Sequence, residues 1–161
     1  LEKSIVLKRS VLTKLSPDRS DLYEEDFYLW TQRMAEALRS RNFDALDLEN
    51  LLDEVESLGR SDRHTLESRL TVLLIHLLKW QFQQGMRSRS WRGTLVEQRT
   101  RIRKLLKASP SLRSFLEDSI DECYQDARLQ AEAETGVSIF IFPEVCKYTI
   151  EEILSVEFLP D

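Results

Sequence analysis

His76 is the side chain with the most chemical promise. It stands one helical turn from Val72 and one from Trp80, inside the most apolar stretch of the chain. An imidazole in that setting must find a hydrogen-bond partner or give up its water in the neutral form. Beside a carboxylate it becomes a general base or a pH-sensitive switch. Glu56 is the carboxylate the spacing suggests, because Gly59 and Ser61 read as a turn folding a second helix back towards a third. The plainer reading is a buried histidine satisfied by a tyrosine, a glutamate or a backbone carbonyl, and it is the one favoured.

The second constellation is cationic. Residues 79–107 carry a net charge of +8, residues 21–78 carry −7, residues 108–161 carry −9, and residues 1–20 carry +3. The whole chain of 161 residues stands at −5. Along the helix that holds this basic run, a 3.6-residue period puts Trp91, Leu95, Ile102, Leu105 and Leu106 on the core face. Arg92, Arg99 and Arg103 fall directly beside that face. Arginines at the border of a core bury apolar stems and offer forked heads. Their heads have two uses. One is internal pairing with Asp53, Glu54 and Glu56 or with Glu117, Asp121 and Glu122. The other is a phosphate or nucleic-acid site drawing on Arg87, Arg89, Arg92 and Arg99. A negative chain repels a polyanion and no nucleic-acid motif is present, so internal neutralisation is expected and a nucleic-acid partner is not.

Other chemistries find little support. His64 and His76 are the only histidines, too far apart to share a metal as successive turns, and no Glu-x-x-His repeat is present. Neither a Gly-x-Ser-x-Gly elbow nor a glycine-rich phosphate loop occurs, so no metal and no cofactor is expected. Cys123 and Cys146 read as a reduced packing pair in a chain large enough to hold its own core. Trp30, Trp80 and Trp91 with Phe27 are able to line an aromatic pocket, although aromatics at helical spacing usually build core.

The elements that must position these groups are helices. Four glycines and four prolines leave few turns, and hydrophobic residues make up 42% of the chain, enough for a core and too many for disorder. Asp21 is placed to cap a first helix, Leu22 to Ser40, and Asp47 to cap a second that stops at Gly59. A third runs from Ser61 to Gln84. Ser90 caps a fourth from Trp91 to Lys107, and Ser109-Pro110 opens a fifth that continues to Thr135 and ends at Gly136. Val137 to Pro143 is β-prone without an obvious partner strand, so it reads as an extended segment packed on helices, or as a ribbon with Ser4 to Leu7. Thr149 to Glu152 is a capping box for a last short helix. The expectation is an all-α fold: one up-and-down bundle of about five helices over residues 21–161, with an extended C-terminal arm. Residues 1–20 form an N-terminal extension, either a mobile tail or a short docking helix. The longest apolar run near the start, Ile5 to Leu7, is too short for a signal peptide or a span, so no membrane partner and a cytoplasmic location are expected.

Several runs resemble a known family. They are Tyr23-Glu24-Glu25-Asp26-Phe27 with Trp30, Asn50-Leu51, Glu54 to Gly59, His76 to Trp80, and Ser90-Trp91-Arg92. Pro110-Ser111-Leu112, Thr135-Gly136, Phe142-Pro143 and Phe158-Leu159-Pro160 continue the pattern to the C-terminus. In that order they resemble a bacterial family abundant in cyanobacteria and known as domain of unknown function 29. The likeness covers Asp21 to Pro160; Lys147 stands where members usually have proline. It implies a mostly helical fold and brings no activity or site residue with it. The reading from the residues is a non-enzymatic protein-interaction module, binding a protein partner or another copy of itself. Its alternative is a small-ligand or nucleic-acid enzyme built on His76, Glu56 and Arg99, with Arg92, Arg103 and Trp91 as further binding candidates.

Overall fold

Asp26 parts the first two helices of the described residues. A computed structural model describes residues 19–161, with side chains from Leu22 onward, and contains seven α-helices and no strand among them. The N-terminal extension, its docking helix and the ribbon with Ser4 to Leu7 lie outside the described residues, as does the Asp21 side chain. The chain divides into two compact units, Leu1–Leu58 and Gly59–Asp161.

In the first unit, helix α1 spans Arg19–Glu25 and α2 spans Phe27–Arg39. The apolar spacing alone predicts one continuous helix there. Asp26 interrupts it with φ −149° and ψ 82°, and its carboxylate accepts the Leu29 amide at 2.9 Å. A short acidic side chain competes for backbone donors and so starts a new helix more readily than it continues an old one. A 3-10 turn at Phe43–Ala45 leads to α3 (Leu48–Phe82). Trp30, Met34, Ala37 and Leu46 form a small core, with Leu22, Tyr23, Ala45 and Leu51 against it. Tyr23 meets Phe27 and Trp30 edge-on at 5.6 and 5.0 Å, and Phe27 stacks on Trp30 at 5.6 Å. As expected, Asp47 caps the following helix: it accepts from the Asn50 amide at 3.4 Å and from Asn50 Nδ2 at 2.7 Å.

Helix α3 runs unbroken from Leu48 to Phe82, through the expected stop at Gly59. A mid-helix glycine costs about 1 kcal/mol relative to alanine, a weak penalty that ends a helix only where the backbone turns left-handed. Gly136 is the glycine with a positive φ, 70°, and it does end a helix.

The second unit holds the larger core. Leu66, Leu70, Leu73, Leu74, Ile75, Leu77 and Leu78 of α3 are buried in it. Each such side chain contributes about 1.5–3 kcal/mol when fully buried. Against them pack α4 (Arg89–Ala108), α5 (Leu112–Asp118), α6 (Ile120–Thr135) and α7 (Ile150–Leu154), through Leu95, Ile102, Leu116, Tyr124, Ala127 and Ile153. The cap of α4 is Ser88, two residues before the expected Ser90; its hydroxyl accepts the Trp91 amide at 3.2 Å. The expected fifth helix is two, α5 and α6, parted at Ser119. The Ser119 hydroxyl donates to the Phe115 carbonyl at 2.8 Å, the back-bonding that bends helices. Residues 137–161 make a 3-10 turn at Ile139–Ile141 and then α7, whose capping box joins Thr149 and Glu152 as expected. Among the described residues no helix is long and apolar enough to cross a membrane.

Candidate functional site

Arg99 is fully buried, with 0% of its surface exposed. Its spacing explains this: Leu95, Arg99 and Ile102 follow one another at four and three residues and are the three buried positions of α4. Arg99 therefore lies on the core face rather than beside it. Its Nε donates to the Ile153 carbonyl at 2.8 Å and one terminal nitrogen donates to the Phe158 carbonyl at 2.8 Å. Two of the carboxylates expected to neutralise it are engaged elsewhere. Glu54 accepts the Tyr23 hydroxyl at 2.5 Å, and Glu117 pairs with Arg113 at 2.7 Å. Ile153 lies in the last turn of α7, where a helix leaves its carbonyls without partners, and Phe158 follows in irregular backbone. Burial, and then the neighbouring Arg103, lower the Arg99 pKa to about 10, which leaves it charged at neutral pH.

The other arginines of the expected row point away. Arg92 is exposed, and its side chain forms no hydrogen bond or ion pair among the described residues. Arg103 is exposed, and among the described residues its Nε reaches only the Arg99 carbonyl, at 3.4 Å. The single row expected from the sequence is thus divided, one member inward and two outward. Trp91 is half-buried, with the Lys79 ammonium 4.7 Å from its ring centre; the same ammonium pairs with Glu134 at 2.6 Å.

His76 and Glu56 both sit on the unbroken α3. The expected fold-back required a break at Gly59 that does not occur. His76 is half-buried, and its Nδ1 bonds to the Val72 carbonyl one turn earlier at 2.9 Å. Burial lowers its pKa below 6.5; the Val72 carbonyl opposes that shift, Lys79 adds to it and Glu134 opposes it. The backbone carbonyl among the plainer alternatives is the partner found.

Two further arginines repeat what Arg99 does, and the sequence reading missed their role. Arg128, also buried, donates to Gln125 at 2.7 Å and to the carbonyls of Ile139 and Phe142 at 3.2 and 3.3 Å. Its Nε is buried without a partner among the described residues. The signal was the spacing of Tyr124, Ala127, Arg128 and Ala131, all buried on one face of α6. Arg87 lies over the Trp80 ring at 5.1 Å and donates to the carbonyls of Trp80 at 2.9 Å and Pro160 at 3.3 Å.

A cavity of about 800 Å³ opens between the start of the C-terminal arm and the helices beneath it, lined by Phe82, Tyr124, Phe142, Cys146 and Tyr148 among others. Neither His76 nor Arg99 lines it. The Tyr148 hydroxyl donates to Gln81 at 2.6 Å and the Tyr124 hydroxyl to the Pro143 carbonyl at 3.1 Å. Burial raises both phenol pKa values, Tyr124 to about 12. Cys123 and Cys146 are free thiols whose pKa values burial raises, the opposite of an activated nucleophile. Among the described residues no group of three His, Cys, Asp or Glu side chains is placed to hold a metal ion.

Compared with known families, residues 22–159 match the model described as domain of unknown function DUF29. The chain belongs to that family. No curated protein and no solved structure matches it. Membership of DUF29, a family described as of unknown function, assigns no role to Arg99, Arg128 or His76.

Proposed function

We propose that this DUF29 protein is a non-enzymatic interaction module, and that the outward cations of α4 form its contact with an acidic protein surface. One observation carries the reading. Helix α4 holds seven basic residues and one acidic residue, and the side chains of Arg89, Arg92, Lys104 and Lys107 are exposed with no hydrogen bond or ion pair among the described residues. Buried charges find partners inside the fold, while these face water. Arg101 has an ally, Glu97 at 2.9 Å, but the pair is solvent-exposed and worth at most about 1 kcal/mol. The inward groups support the same reading from the other side. Arg99 and His76 are bonded to carbonyls, so the two side chains best suited to acid–base or anion chemistry are occupied. The free thiols fit a reducing cytoplasm.

The test is titration of the protein with a glutamate-rich helical peptide, and separately with single-stranded RNA and duplex DNA, read by fluorescence anisotropy. The peptide should bind, weaken as salt rises, and lose at least tenfold in affinity to the Arg92→Glu/Arg103→Glu protein. Preferred binding of RNA or DNA, or equal binding by the wild type and the double variant, would overturn the reading.

A further inference from the structure

We infer that the protein assembles with itself head to tail, the α3 face from Leu48 to Leu58 of one copy seating on the outward α4 face of another. The inference rests on the interaction-module reading and names its partner.

The α3 face is apolar where no other described residue covers it. Leu48, Leu52, Val55 and Leu58 are 65%, 58%, 59% and 70% exposed. Their spacing of four, three and three residues places them along one side of the helix, the pattern of a helix that packs against another. A contiguous apolar strip on a soluble surface marks a contact site more often than chance exposure. Exposed Glu49 and Asp53 follow the strip along one flank.

The α4 face is its chemical complement. Arg89, Arg92, Val96, Arg103 and Lys107 are exposed and share one side of the helix over about 27 Å. Val96 supplies an apolar centre at 41% exposure, and around Gly93 the space is open. Facing helices approach to about 8–10 Å, close enough for leucines to cover Val96 while carboxylates reach the guanidinium groups.

Charge selects which faces meet. Two α3 faces brought together would oppose carboxylate to carboxylate, and two α4 faces would oppose cation to cation. Only the unlike pair is attractive, so the contact is heterologous, and such a contact repeats into a chain or closes into a ring. A single-stranded nucleic acid is a poorer occupant of α4, since no exposed aromatic lies in the row to stack a base and Trp91 is covered by Lys79.

Sedimentation of the full chain, with two charge-reversed variants, tests this. The wild type should exceed the monomer mass at low salt, grow with concentration, and return to monomer near 1 M salt, where charges are screened within about 3 Å. Arg92→Glu/Arg103→Glu alone and Glu49→Lys/Asp53→Lys alone should each be monomeric, with unchanged circular dichroism. Mixed in equal amounts they should associate again, because each supplies the face the other lacks. A monomeric mixture, or a double variant that still self-associates, would overturn the inference. So would a wild type that is monomeric at low salt; if that monomer still binds the glutamate-rich peptide, the module reading stands and only the self-assembly falls.

Discussion

Asp47 and Arg99 are buried charges of opposite sign, one in each unit, and each holds irregular backbone to a helix. Asp47 is an anion surrounded by donors: Trp30 Nε1 at 3.1 Å, Asn50 Nδ2 at 2.7 Å and the Asn50 amide. Arg99 is a cation surrounded by acceptors, the carbonyls of Ile153 and Phe158. The difference follows from where each sits. Asp47 stands at a helix start, where N–H groups lack partners; Arg99 faces a helix end and the chain beyond it, where carbonyls do. The sign of each buried charge therefore answers the sign of the local backbone deficit. Arg99 is held by carbonyls, with no carboxylate paired to it among the described residues. Arg128 and Arg87 extend the pattern to the carbonyls of Ile139, Phe142 and Pro160, so an arm without a sheet partner still has acceptors satisfied.

The comparison can be broken by removing each charge. Arg99→Met keeps much of the apolar stem and leaves two buried carbonyls without donors; urea unfolding should show a loss of about 3 kcal/mol. Arg99→Lys should recover part of it, since an ammonium reaches one carbonyl more readily than two. Asp47→Ala should cost about 2 kcal/mol, combining a lost helix cap with an unpaired indole N–H. If both changes fall within about 0.5 kcal/mol of neutral, the scatter of ordinary surface substitutions, the charges are not holding the backbone.

Gly59→Ala sharpens the account of α3. The glycine is mid-helix, and beyond the adjoining backbone of its own helix no atom lies within 4 Å of the point where an alanine methyl would sit, so alanine should stabilise by about 0.5–1 kcal/mol in the same urea titration. A helix end at that glycine would reverse the sign, because alanine resists the left-handed backbone a C-terminal cap requires.

The smallest effect concerns His76. Its imidazole takes up a proton near pH 6.5 when unfolded and only at lower pH when folded. Between those values the unfolded chain holds more protons, so stability should fall as pH drops through 6.5 and level off below the folded pKa. His76→Gln should flatten that acid limb in urea titrations across pH. An unchanged limb would show that other groups cause it.

Much of the fold was legible from residues that act locally. Asp47 capped α3, Gly136 closed α6, and Thr149 with Glu152 opened α7 because each motif is complete within a few residues. The breaks that failed depended on choices local spacing leaves open. Gly59 lies in a helix whose neighbours keep hydrogen bonding through it, while Asp26 and Ser119 interrupt helices by capturing backbone groups with their side chains. The candidate site was less legible. The 95–99–102 spacing is visible in the chain, but it says only that Arg99 faces inward. Its partners are carbonyls more than fifty residues away, and a carbonyl carries no residue type that a sequence can display.

Hydrogen–deuterium exchange across residues 150–159 tests the central claim most directly, that the inward arginine holds the arm while the outward ones are left for a partner. Arg99→Met should speed exchange throughout that segment, and Arg92→Met should leave it at the wild-type rate. Equal protection in both variants would contradict the account.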